Sequence, residues 1–112
     1  MECKTYDEYN DLGILTNHYS KIKGTNKLHG PFIINRRNGN KLCNTTYNQG
    51  LLDGLYQEWY DNGQLYIRAT YKSGIFIKGE VFDFTGKEIT TVPFNESLLA
   101  VSDLFIETLS LK

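Results

Sequence analysis

The chain has 112 residues and a net charge of −1, a length that holds one domain and excludes a second independent one. Eight Tyr, six Phe and ten Gly against two Pro favour strands and turns, because aromatic side chains suit a pleated, half-buried surface. No stretch approaches the roughly 20 apolar residues of a membrane span.

Residues 1–11 carry Glu2, Asp7, Glu8 and Asp11 against Lys4, a net charge of −3. The start is acidic and lacks the basic-then-apolar pattern of a targeting segment, so a cytoplasmic location is expected. Cys3 and Cys43 make no zinc or redox spacing and read as reduced thiols. Residues 12–52 contain no acid and six bases, Lys21, Lys23, Lys27, Arg36, Arg37 and Lys41. Residues 53–112 return to −4. A bipolar chain of this kind can steer a charged partner.

An internal repeat dominates the middle of the chain. Gly30 and Gly54, Gly39 and Gly63, Tyr47 and Tyr71, and Gly50 and Gly74 are each 24 residues apart. Gly54 to Gly79 is 25. The units fall at 29–52, 53–77 and 78–89, preceded by a degenerate unit at 9–28 carrying Tyr9, Gly13, Tyr19 and Gly24. Asn38-Gly39 and Asn62-Gly63 read as hairpin turns in which Asn and Gly take positive φ. After the second turn, Leu65, Ile67, Ala69 and Tyr71 alternate with Tyr66, Arg68, Thr70 and Lys72 as an apolar and a mixed face. Lys72-Ser73-Gly74 then turns the chain toward the next hairpin. Beyond Pro93, Asn95 and Glu96 begin a predicted helix over 94–110, with Leu98, Val101, Phe105 and Leu109 on one face. It is expected to cap the array, or to join two copies as a homodimer.

The run from Asp53 to Gly74, with Gly54, Tyr56, Trp59-Tyr60, Asn62-Gly63-Gln64-Leu65 and Tyr71…Gly74, resembles the MORN repeat family in its longer bacterial variant. The first unit keeps Gly30, Phe32, Asn38-Gly39, Leu42, Tyr47 and Gly50 but has Asn35-Arg36 where Trp59-Tyr60 stand. The third keeps Gly79, Phe84 and Gly86. The resemblance implies a mainly β fold, an elongated, twisted antiparallel meander of stacked hairpins with a ladder of aromatics and a C-terminal helical cap. Terminal repeats of such arrays need cover.

No catalytic, cofactor or metal constellation stands out, and a non-enzymatic role is expected. His18 and His29 lack a third ligand, and the glycines follow the repeat rather than a phosphate loop. Tyr56, Trp59 and Tyr71 are expected to pack within the ladder. Candidate partner contacts are Arg36, Arg37 and Lys41 in the acid-free segment, with Tyr60, Tyr66 and Arg68 one repeat later. The expected partner is another protein, bound stoichiometrically by an inhibitor, antitoxin-like, immunity or anti-defence protein. Proteins resembling this variant are often labelled antitoxins. The alternatives are anionic lipid or nucleic acid on residues 21–41, and a structural scaffold or homodimer.

Overall fold

A computed structural model describes residues 1–92, with side chains described through residue 89. The predicted helix at 94–110, and the dimer surface assigned to it, lie outside the described residues. The described residues form nine strands and no helix: β1 (Cys3–Tyr9), β2 (Leu15–Ile22), β3 (Gly30–Asn35), β4 (Lys41–Asn48), β5 (Leu51–Leu52), β6 (Gly54–Trp59), β7 (Leu65–Lys72), β8 (Ile75–Phe82) and β9 (Glu88–Val92). They make one open antiparallel sheet in the order β1-β2-β3-β4-β6-β7-β8-β9, with β5 folded back on β4. The expected meander is what the chain forms.

Four hairpins share one turn design. Asn10, Arg36, Tyr60 and Asp83 each donate their backbone N–H to the carbonyl four residues on, and Gly13, Gly39, Gly63 and Gly86 donate back to them. Those glycines have φ of 80°, 92°, 88° and 98°, and the ladder slips by one residue just before each turn. This is a turn closed by a glycine bulge, in which the left-handed residue is the glycine alone. The expectation that Asn38 and Asn62 take positive φ is therefore corrected. Their Oδ1 atoms instead accept the N–H of Asn40 and Gln64, both at 2.9 Å. Asparagine is used as a side-chain acceptor that tightens the turn. Asp83 does the same job from the first turn position, and bonds from the Thr85 hydroxyl and the Lys87 N–H hold its carboxyl below the usual range.

The positive-φ pairs occur at the opposite side of the sheet. Gln49-Gly50 has φ of 50° and 88°, and Ser73-Gly74 has 50° and 81°. Two successive left-handed residues match the twist of a two-residue hairpin loop.

The third repeat is also re-registered. Aligned on its turn, Gly79 stands three residues before Phe82, as Tyr56 stands three before Trp59. Gly79 pairs with Ala69 and is buried, so it occupies an aromatic position of the repeat and is not the counterpart of Gly54. The first hairpin starts at Cys3, six residues ahead of the unit read at 9–28.

The registers sort the side chains onto two faces. One carries Tyr6, Tyr19, Phe32, Tyr47, Tyr56 and Tyr71, together with the buried Ile67 and Ala69 that the period-two pattern assigns to it. Ile67, Ala69, Phe76 and Val81 form the core cluster, with Tyr56, Tyr66 and Tyr71 packed against it. The other face is mostly polar, with the pairs Asp7–His18 and Arg68–Glu80. The aromatic ladder runs Tyr6–Tyr19–Phe32–Tyr47 and resumes as Tyr56–Tyr71–Phe76, with ring centroids 5.2 to 6.2 Å apart.

Candidate partner-binding edge

The four glycine-bulge turns line up along one edge of the sheet, because each hairpin reverses there. Side chains staple neighbouring turns together. Asn10 Nδ2 donates to the Arg37 carbonyl at 2.9 Å, Arg36 Nη2 to the Trp59 carbonyl at 2.7 Å, and the Tyr60 hydroxyl to the Phe82 carbonyl at 2.8 Å. Asn62 Nδ2 adds a bond to the Phe84 carbonyl at 3.0 Å. Asn10, Arg36 and Tyr60 occupy the same position of the turn, and each reaches the next hairpin. Arg36 therefore replaces the repeat's tyrosine without losing its contact.

Five of the six candidate residues belong to this edge or lie just beneath it. Arg37 pairs with Asp11 at 2.7 Å and keeps 65% of its side chain exposed. Lys41 Nζ lies 5.2 Å from the Trp59 ring centre, a cation–π contact at an exposed site. Tyr60 and Tyr66 pack at a tilt of 43° with ring centres 4.5 Å apart, and Phe84 meets Tyr60 edge-on at 6.5 Å. Burial raises the pKa of both phenols, helped by Asp83 near Tyr60, and by Tyr60 and Glu58 near Tyr66. Both rings remain neutral at physiological pH. Arg68 is not part of the edge. It stands on the polar face, where Glu80 holds its guanidinium with bonds of 2.9 and 3.1 Å.

The edge also gathers residues that sequence reasoning missed. Tyr9 is 61% exposed, Leu12 62% and Phe84 65%. Leu12 stands at the turn position held elsewhere by Asn38 and Asn62, and Phe84 at the one held by Asp11, Arg37 and Asp61. An apolar residue at a polar turn position was a readable signal once the turns were aligned on their glycines. Leu12, Arg36, Arg37, Asn38 and Asp61 line a shallow recess of about 440 Å³.

The basic segment does not form one patch. Lys23 pairs with Glu2 at 3.1 Å and Arg37 with Asp11, so the acidic first residues fold back on it. Lys21 lies over the Tyr6 and Tyr19 rings on the aromatic face. The histidines have hydrogen-bonding roles: His18 Nδ1 meets Asp7, and His29 Nδ1 accepts the Gln49 N–H at 3.0 Å. Cys3 and Cys43 are not disulfide-bonded. Comparison with protein-family models, curated proteins and solved structures finds no match to this chain.

Proposed function

We propose that this chain is a non-catalytic protein-binding module of MORN-like hairpin repeats, acting by stoichiometric capture of a partner protein through its turn edge. An inhibitor, antitoxin-like or immunity role follows from that mode of action. The observation that carries the reading is the composition of the stapled edge. Exposed Tyr9, Leu12 and Phe84 stand there with Arg37 and Lys41 around the Tyr60–Tyr66 ring pair. Aromatic and arginine side chains supply most hot spots of protein interfaces. A row of turns locked to one another also presents them with little ordering cost.

The test is capture from host extract by three immobilised proteins. These are the wild type, a Leu12→Ser/Phe84→Ser edge variant, and a Leu51→Ser variant on the opposite side of the sheet. One partner, held by the wild type and Leu51→Ser at equal stoichiometry and lost by the edge variant, supports the reading. A partner retained by the edge variant, or no protein partner at all, rejects it. The lipid and nucleic-acid readings have less behind them, because the bases of 21–41 are divided between faces and partly neutralised by Glu2 and Asp11.

A further inference from the structure

β1 stands at one end of the sheet order, and among the described residues β2 is the strand it pairs with. The Lys23 N–H donates to the Glu2 carbonyl at 3.0 Å, and the register continues Cys3 with Ile22, Lys4 with Lys21, Thr5 with Ser20 and Tyr6 with Tyr19. Hydrogen-bonded and non-hydrogen-bonded pairs alternate along an antiparallel ladder. Glu2, Lys4, Tyr6 and Glu8 therefore turn their backbone groups toward β2, and Cys3, Thr5 and Asp7 turn theirs outward. An open row of this kind is a template for another strand.

The side chains of β1 select which strand it accepts. Lys4, Tyr6 and Glu8 share the aromatic face, with Lys4 and Glu8 exposed on either side of Tyr6. Within its own sheet Lys4 stands opposite Lys21, a like charge. An antiparallel second copy of β1 centred on Tyr6 sets Lys4 of each chain opposite Glu8 of the other, and Tyr6 opposite Tyr6. These are non-hydrogen-bonded pairs, in which side chains approach most closely. Thr5 then faces Asp7 of the second copy, and both have outward backbone groups, as a hydrogen-bonded pair requires. Since only outward groups can pair, β1 slips along itself two residues at a time. Centring on Thr5 sets Glu2 against Glu8, and centring on Asp7 sets Asp7 against Asp7. Like charges directly opposite are destabilising, so the charges that deter other registers match in the one centred on Tyr6. That register also extends the aromatic row. Tyr6 is its end ring, stacked on Tyr19 with centres 5.2 Å apart, and a second Tyr6 continues it across the joint.

We propose that β1 is a homodimer edge, at which two copies pair antiparallel about a two-fold axis at Tyr6 and join their sheets into one. The contact is isologous, with the same patch used by both copies. Because the axis reverses strand direction, the two turn edges point to opposite sides, and each dimer presents two of them. Pairing through β1 does not depend on what the turn edge binds, and it is measured on the isolated chain, so the two readings fail separately.

Sedimentation of the full chain across a dilution series at low salt tests this arrangement. The wild type is expected to form a dimer that dissociates on dilution. Lys4→Glu sets a Glu against Glu8 at two symmetric positions and weakens association about tenfold. Within its own chain the new carboxylate faces Lys21, so the fold is not what suffers. The double swap Lys4→Glu/Glu8→Lys recovers the dimer. A second measurement uses disulfide trapping in a Cys3→Ser background. Tyr6→Cys lies on the axis and cross-links two chains under mild oxidation. Lys4→Cys stands four residues from its own counterpart, roughly 14 Å along the strand, beyond disulfide reach. A wild type that stays monomeric up to its solubility limit overturns the proposal. So does a dimer indifferent to Lys4→Glu, a double swap that recovers nothing, or equal cross-linking at positions 4 and 6.

Discussion

Arg36 shows how one residue can depart from a repeat and keep its structural work. Its Nη2 reaches the Trp59 carbonyl, as the Tyr60 hydroxyl one repeat later reaches the Phe82 carbonyl. In sequence, the change from tyrosine to arginine reads as a binding feature, because nothing there shows that both side chains end at a neighbouring carbonyl. Truncation by Arg36→Ala removes a charged hydrogen bond to the Trp59 carbonyl. The expected loss is about 1.5–3 kcal/mol. Arg36→Tyr restores a donor of the repeat's own kind and is expected to cost less than about 1 kcal/mol, the worth of a neutral bond. Urea unfolding of the two variants measures both, and equal losses would show that the donated bond is not what Arg36 contributes.

The turns are the elements in which sequence reasoning and structure diverge most. The Asn-Gly steps correctly place hairpins at 38–39 and 62–63, but only the glycines there are left-handed. The loops that need two left-handed residues are Gln49-Gly50 and Ser73-Gly74, where Gln and Ser sit at φ of 50°. Asparagine tolerates that region better than serine does. Ser73→Asn is therefore expected to stabilise the protein by about 0.5 kcal/mol, a fraction of what a strained left-handed residue costs. Gly74→Ala acts in the opposite direction. Its φ is 81°, and a methyl group would meet Leu51 Cδ2 at 3.2 Å. A loss of about 1–2 kcal/mol is expected from the left-handed strain alone. Thermal unfolding of both variants checks the signs. A stabilised Gly74→Ala would mean that this loop is not built as described.

At the scale of the whole molecule, the apolar face of the sheet carries a set of partly buried phenols. Tyr47, Tyr56 and Tyr71 all have raised pKa values, burial being the largest cause in each case. In the unfolded chain a tyrosine ionises at about 10. The folded state holds these protons beyond that point, so above it the unfolded chain binds fewer protons than the folded one. Stability contributed by these rings is fully present below pH of about 10 and falls as pH rises further. The expected outcome is alkaline unfolding in which phenolate absorbance appears together with loss of the strand circular-dichroism signal. Phenolate formation for every tyrosine at the ordinary pKa, with the strand signal intact, would contradict the buried ladder.

Local chemistry by itself determined the meander of hairpins, the 24-residue spacing of its landmarks and the apolar face of Ile67, Ala69 and Tyr71. Period-two alternation and glycine punctuation are properties of neighbouring residues, so they are legible without a fold. Tertiary structure decided the rest. Gly79 at 25 residues from Gly54 looks like a repeat glycine, and only pairing with Ala69 shows that it fills an aromatic position. Glu2 and Asp11 neutralise bases 21 and 26 residues away, which no local reading of charge can reveal. The turn edge exists only because hairpins distant in sequence stack side by side. Such juxtapositions depend on register between strands, and register is set by cross-strand packing rather than by either strand alone.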